Sequence, residues 1–336
     1  MDSPAAPAPA ATPAPAATPA PAATPAPALS RTVDVDGPVH YADFGGDPDG
    51  ATIVCVHGLG GSHRNWLAVA PGLAQLGHVL APDLVGHGLT PAAGRVPDVE
   101  GHCRLLTGFL DRVVGRPAIV VGNSMGALVA ALVASEEPEL VAGLVLVDPA
   151  LPVRSIARFR PSVVANFVAC AIPGVGEAYL GARRRRTTAE ESVLRVLRRC
   201  CVDPERLPRS VVEAHVVLTE GMDRSAADAA YLTSARSLAG RYVAPAATLA
   251  ALDRVDRPTV VLHGACDRIV PLGVARALVA DHPGWRLEVA LHAGHAPMLE
   301  VPAWTVEVIT RWVRGTGRLS GSGRSAKYSD GRLTER

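Results

Sequence analysis

Three residues of this chain could together carry covalent chemistry. Ser124 stands at the centre of Gly122-Asn123-Ser124-Met125-Gly126, a G-x-S-x-G turn. Asp267 closes Gly264-Ala265-Cys266-Asp267, and His295 follows Gly294 in the segment Leu291 to Glu300. A serine hydroxyl is a weak nucleophile until a base takes its proton, and an imidazole base works best when an acid fixes its orientation. The set Ser124, Asp267, His295 therefore points to acyl transfer. Acid and base lie 28 positions apart, room for one helix and one strand.

The elements around these residues are the ones such a set requires. Pro117-Ala118-Ile119-Val120-Val121 reads as a buried strand, and Ala127 to Ala134 as a helix apolar on every face. The serine thus sits in a sharp strand-to-helix turn, where flanking glycines avoid a Cβ clash and the helix aims free N–H groups at the reacting oxygen. Asp267 and His295 each follow a predicted strand, Thr259 to Leu262 and Arg286 to Leu291. Strands of a parallel sheet share one C-terminal edge, where the three residues can meet. Further strands are expected at Thr52 to Val56, His78 to Ala81 and Val141 to Val147, with an N-terminal hairpin turning at Asp36-Gly37. Helices are expected at about His63 to Leu76, Val99 to Val114, Val274 to Ala280 and Val301 to Val313. Strands alternating with helices imply an α/β class with a mostly parallel sheet.

The alternation stops over residues 151–249, which carry helical patches, prolines and arginines but no clear buried strand. This segment reads as a mostly helical cap or lid between two parts of a core, residues 29–150 and 250–314. Its apolar residues Phe167, Val168 and Ile172 need something to bury against, either an acyl pocket wall or the lid's own interior. Residues 1–28 repeat Pro-Ala-Pro-Ala-Ala-Thr and residues 315–336 are Gly-, Ser- and Arg-rich, so both are expected to be disordered tails. The first has neither a basic start nor an apolar core, so it does not read as a secretory signal and the expected location is cytoplasmic. No apolar stretch is long enough to span a bilayer.

The net charge of +1 over 336 residues argues against nucleic acid as a partner. Lys327 is the only lysine, so nearly all positive charge is arginine. The six cysteines show no C-x-x-C or Cys/His metal spacing, so no metal site is expected, and Cys55 and Cys266 read as core fillers. The run Arg183 to Arg186 is either a solvated cap face or a greeting surface for an anionic substrate. Competitors for the chemistry are His292 against His295, and Asp148 at a strand end against Asp267. His57, Asp83 and His87 read as residues that brace loops.

Over residues 31–314 the chain resembles the α/β-hydrolase fold family, in the branch with a helical cap inserted after the sixth strand. The likeness rests on His57-Gly58, the loop Gly86 to Thr90, the Ser124 turn, Gly264 to Asp267, and Gly294-His295 with Glu300 and Pro302. It implies Ser124 as nucleophile, His295 as base and then acid, and Asp267 as the orienting acid. It also implies an oxyanion hole from the backbone N–H groups of Leu59 and Met125, a small-molecule acyl substrate, and no cofactor. A serine at position 124 argues against the epoxide hydrolase and haloalkane dehalogenase branches, which place aspartate there. Cleavage of a carboxylic ester or thioester is the leading expectation. The Gly122 to Gly126 turn also looks like that of the carbon–carbon bond hydrolases of aromatic degradation. Two departures stand against that: Leu59-Gly60-Gly61 replaces their Gly-Pro-Gly, and Ala296 replaces the tryptophan after the catalytic histidine. A hydrolase-fold receptor or scaffold without chemistry is a further alternative, though such proteins usually lose a triad member.

Overall fold

A computed structural model describes residues 28–154 and 159–316. The tails expected at 1–28 and 315–336 lie outside the described residues, save Ala28, Gly315 and Thr316.

The strands are β1 (Leu29–Asp34), β2 (Pro38–Asp43), β3 (Ala51–Val56), β4 (Gly77–Pro82), β5 (Ala118–Asn123), β6 (Val141–Val147), β7 (Thr259–Gly264) and β8 (Arg286–Ala290). They form one 8-stranded sheet in the order β1-β2-β4-β3-β5-β6-β7-β8. The β1–β2 hairpin joins antiparallel and the pairings from β4 to β8 are parallel, as the alternating pattern predicts. Asp36 and Gly37 take positive φ at the hairpin turn, where the sequence placed it.

The central strands are buried on both faces, so alternate residues feed two cores. Val54, Val56, Val120, Leu144, Leu146 and Val261 pack on one side against α2 (Val99–Phe109), α3 (Met125–Glu136) and α10 (Leu272–Asp281). Ile53, Cys55, Val121, Val145, Val260 and Leu262 pack on the other, with Trp66 and with Val308, Ile309 and Trp312 of α12 (Pro302–Gly315). Every residue of α3 from Met125 to Ala134 is buried, as its all-apolar sequence requires.

The helix expected over His63 to Leu76 is broken. A 3-10 turn, His63–Trp66, is capped reciprocally by Ser62 and Asn65, and α1 (Ala70–Leu73) follows with Pro71 near its start. Proline lacks an N–H and disfavours helix in the residue before it, so one continuous helix cannot form. The expected helix Val99 to Val114 is α2, capped by Asp98 and continued by a π turn, Leu110–Val114, that ends at Gly115 with φ 64°.

After β6 come α4 (Pro161–Ala171), α5 (Val175–Arg186), α6 (Ala189–Cys200), α7 (Arg209–Gly221), α8 (Arg224–Val243) and α9 (Ala246–Asp253). No strand of the sheet falls among them. α9 spans the expected boundary at residue 249 and packs against α3. Val168 and Ile172 face solvent at 51% and 47% exposure, and Phe167 is half-buried, so the first two line no interior. Cys266 is exposed rather than a core filler, and Cys55 is buried as expected. Among the described residues no single helix is long and apolar enough to cross a membrane. α4 and α5 reach that length only together, across a bend of 105°.

Candidate active site

The strand registers bring the chemistry-bearing residues to one edge. Val56 pairs with Gly122, Asn123 with Val147, Val147 with Leu262, and Gly264 with Ala290. The segments carrying His57, Ser124, Asp148, Asp267 and His295 leave their strands just past this level.

Ser124 holds φ 55° and ψ −114°, a strained conformation for a residue with a side chain. Its N–H donates to Val147 O at 2.9 Å and its carbonyl accepts from Ala127 N at 3.1 Å, so the turn is fixed from both sides. A Cβ at Gly122 would stand 2.4 Å from Gly126 O, and one at Gly126 would stand 2.3 Å from Val56 O. Both glycines are therefore demanded by close backbone approach. The elbow is pressed onto the end of β3, beside the turn that starts at His57.

That turn is braced by His57, which is fully buried. Leu84 N–H donates to its Nε2 at 3.0 Å, so Nδ1 carries the proton and donates to Gly58 O at 2.8 Å. Burial, followed by the charge of nearby His87, lowers its pKa to about 4 and keeps it neutral. Among the described residues neither the Leu59 N–H nor the Met125 N–H finds a hydrogen-bond acceptor.

Asp267 and His295 meet directly. His295 Nδ1–H donates to Asp267 Oδ2 at 2.7 Å, while Asp267 Oδ1 accepts from the N–H groups of Ile269 at 2.7 Å and Val270 at 3.0 Å. Burial works to raise the Asp267 pKa, but the charge and hydrogen bond of His295 outweigh it and hold the carboxyl below its usual range. His295 Nε2 and Ser124 Oγ make no hydrogen bond among the described residues, although both side chains are largely buried. His295 therefore keeps its far nitrogen free. His292 is exposed on the same loop and takes no part in the Asp267 contact.

Behind Asp267 lies a buried layer whose purpose the sequence did not show. Asp148, at φ 45° and fully buried, accepts from Gly264 N–H at 2.9 Å. His263 Nε2–H donates to Val270 O at 3.1 Å, and its Nδ1 lies 3.6 Å from Asp148 Oδ1. Polar atoms of Asp148, His263 and Asp267 all fall within 4.8 Å of one another. Burial, then the charge of Asp267, raises the Asp148 pKa well above the usual carboxyl value. The two shifts run in opposite directions, so of the pair Asp267 is the one held toward its carboxylate form. The sequence signal for Asp148 was its place at a strand end, which made it only a competitor for Asp267.

The cap reaches this edge through named contacts. His295 N–H donates to Cys200 O at 2.6 Å, and Asn123 Nδ2 donates to His295 O at 3.3 Å. The Glu300 carboxylate accepts from Gly294 N–H at 2.5 Å, and from Val202 and Asp203 N–H at 2.5 and 3.2 Å. One side chain therefore ties the His295 loop to the end of α6. Leu59 packs on the cap cluster Cys170, Leu180, Leu232 and Ala235, beside Tyr231. Asp83 and His87 fix loops as expected: Asp83 accepts from His63 N–H at 2.7 Å and Leu89 N–H at 2.9 Å, and His87 Nδ1–H donates to Val85 O at 2.9 Å.

A family model for the alpha/beta hydrolase family matches residues 53–308. The chain belongs to this family and is a hydrolase. It is 30% identical over 280 residues to the pimeloyl-[acyl-carrier protein] methyl ester esterase of Aromatoleum aromaticum, a match covering 78% of this chain and 98% of that one. It is 33% identical over 149 residues to a haloalkane dehalogenase of Mesorhizobium japonicum, covering 43% of this chain and only 46% of the relative's length. Among solved structures, haloalkane dehalogenase DbeA of Bradyrhizobium elkani superposes with a TM-score of 0.74 at 21% identity, over 86% of this chain and 99% of that one. That likeness is one of fold.

Proposed function

We propose that the protein is a serine hydrolase that cleaves a carboxylic ester or thioester of a small-molecule acyl substrate through an acyl-enzyme. The observation that carries this reading is the 2.7 Å bond between Asp267 and His295, with Nε2 left free at the edge where Ser124 stands. His295 Nε2 takes the Ser124 proton as Oγ attacks the acyl carbon. The oxyanion that forms accepts from the Leu59 and Met125 N–H groups, which are otherwise unpaired. His295, now imidazolium, is steadied by the Asp267 carboxylate and returns its proton to the leaving alcohol or thiol. Water, activated by the same nitrogen, then releases the acid and frees Ser124.

Ester chemistry is supported by the full-length similarity to a methyl ester esterase. The serine at position 124 favours it over dehalogenation, for which aspartate is the expected nucleophile. Residues 151–249 serve in this reading as the lid that shapes the acyl pocket, since Leu59 and His295 both touch them.

The test is covalent. A fluorophosphonate probe should label the wild-type protein and leave Ser124→Ala unlabelled, and that variant should lose about 10⁴-fold or more in turnover. Undiminished labelling of Ser124→Ala would overturn the assignment.

A further inference from the structure

The α4–α5 hairpin shows solvent an apolar stripe that the hydrolase reading does not use. Val164 and Val168 lie one turn apart on α4, Ile172 caps its end, and Val175 and Tyr179 lie one turn apart on α5. Their exposures are 47%, 51%, 47%, 46% and 42%. Both helices pack on α8. Cys170 and Leu180, on their other sides, are buried with Leu232 and Ala235 of α8. The exposed stripes therefore face away from the body. Contiguous apolar surface on a folded protein marks an interaction face.

The charge beside the stripe is one-sided. Residues 159–188 hold five arginines, Arg160 and Arg183 to Arg186, and one acid, Glu177. Glu177 is already paired with Arg236 at 2.9 Å, and Arg184 with Asp228. Arg160, Arg183, Arg185 and Arg186 have no acidic partner among the described residues. Arg183 lies over the Tyr179 ring at 5.9 Å, so the apolar stripe runs directly into the cationic end of α5. Arg199 of α6 adds a further guanidinium beside Asn166 of α4, at 3.4 Å.

An apolar face edged by unpaired arginines fits a surface that is apolar within and anionic at its rim. We propose that the α4–α5 hairpin docks the protein onto an anionic lipid bilayer. Val164, Val168, Ile172 and Val175 enter the acyl boundary, Tyr179 lies at headgroup level, and Arg183, Arg185 and Arg186 meet lipid phosphates. The 105° bend between the helices suits a hairpin lying in the interface rather than crossing it. A second copy of the chain fits less well, because it would bring the same unpaired arginines face to face.

Flotation of the full chain with vesicles tests this. Wild-type protein should float with vesicles of phosphatidylcholine and phosphatidylglycerol and much less with phosphatidylcholine alone, and raised salt should release most of it. Replacing Arg183, Arg185 and Arg186 together with alanine should weaken anionic-vesicle binding by about five-fold per arginine, on the order of a hundred-fold in all. Val168→Ser with Ile172→Ser should abolish flotation with little change in melting temperature, since about half of each residue is already exposed. Absence of wild-type flotation, or equal flotation with both lipids at any salt, overturns the proposal without any variant. So does a wild-type dimer in sedimentation that the serine double variant converts to monomer, which would make a second copy the occupant.

Discussion

Two His–Asp constellations stand at the same sheet edge, built from the same residue types, and they do different work. In one, Asp83 accepts from His40 Nδ1 at 2.8 Å and His63 Nδ1 at 2.9 Å. In the other, Asp267 accepts from His295 Nδ1 at 2.7 Å. Bond length and burial hardly tell them apart. The sharing of the carboxylate does. Asp83 divides its oxygens between His40 and His63, and His40 Nε2 is further spent on Ser30 Oγ at 2.8 Å. Asp267 accepts a hydrogen bond from one imidazole alone, and His295 Nε2 is left free. A buried His–Asp bond thus braces a loop where two imidazoles share one carboxylate, and can poise a base where a single imidazole holds it.

Breaking the second constellation should show the largest effect. His295→Ala should lower turnover by about 10⁴-fold, because no other imidazole takes the Asp267 bond. Asp267→Asn should come close to it, since an amide neither fixes the donor tautomer nor steadies an imidazolium. Fluorophosphonate labelling rates on folded protein check both. A histidine variant that labels at the wild-type rate would place the base elsewhere.

Breaking the first constellation should reverse the balance between activity and stability. Burial would raise the Asp83 pKa, but hydrogen bonds from His40 and His63 outweigh it and hold the carboxyl far below its usual range. Its oxygens also hold the His63 and Leu89 N–H groups. Asp83→Ala should cost about 3–5 kcal/mol of stability, the loss expected when one member of a buried charged network is removed. The fraction that stays folded at low temperature should still label at Ser124. Complete loss of labelling in folded Asp83→Ala would mean that the two constellations are one machine.

The sequence showed the contrast only in part. The sheet was legible because its strands are short β-branched runs at regular alternation with helices, and Ser124, Asp267 and His295 each follow one. Their meeting at one edge follows from parallel topology. Pairing partners beyond the edge were not legible. Nothing local says that His63 answers to Asp83 across 20 positions, or that Glu300 ties Gly294 to Val202 across 98. The expected helix at His63 to Leu76 is broken, with Pro71 near the start of its second piece. In the cap, apolar spacing marked helices but could not say which apolar side faces in. Phe167 turns partly toward the core while Val168 and Ile172 turn out, an outcome set by α8, which packs from far along the chain.

The smallest expected effect would sharpen the comparison most, because Asp148 separates the two constellations chemically. The Asp83 constellation is one carboxylate among histidines. The Asp267 constellation holds two acids, and burial and the Asp267 charge raise the Asp148 pKa well above its usual value. Unfolded, Asp148 would titrate near its ordinary value of about 3.9. Between that pH and its raised folded value the native state binds the extra proton, so this group makes stability fall as pH rises. The buried histidines act oppositely. His57, His87, His102 and His263 have lowered pKa values, chiefly through burial, so the unfolded state takes up protons first and stability rises with pH toward about 6.5. Asp148→Asn keeps the acceptor for Gly264 N–H, removes the first slope and leaves the second. Urea midpoints at pH 5, 6 and 7 should then climb more steeply in the variant than in wild type, by up to about 1.4 kcal/mol per pH unit. Parallel curves would mean that Asp148 is ionised in the native protein. In that case the Asp267 constellation would hold two charged acids, and its chemical difference from the Asp83 constellation would lie in their mutual repulsion rather than in a stored proton.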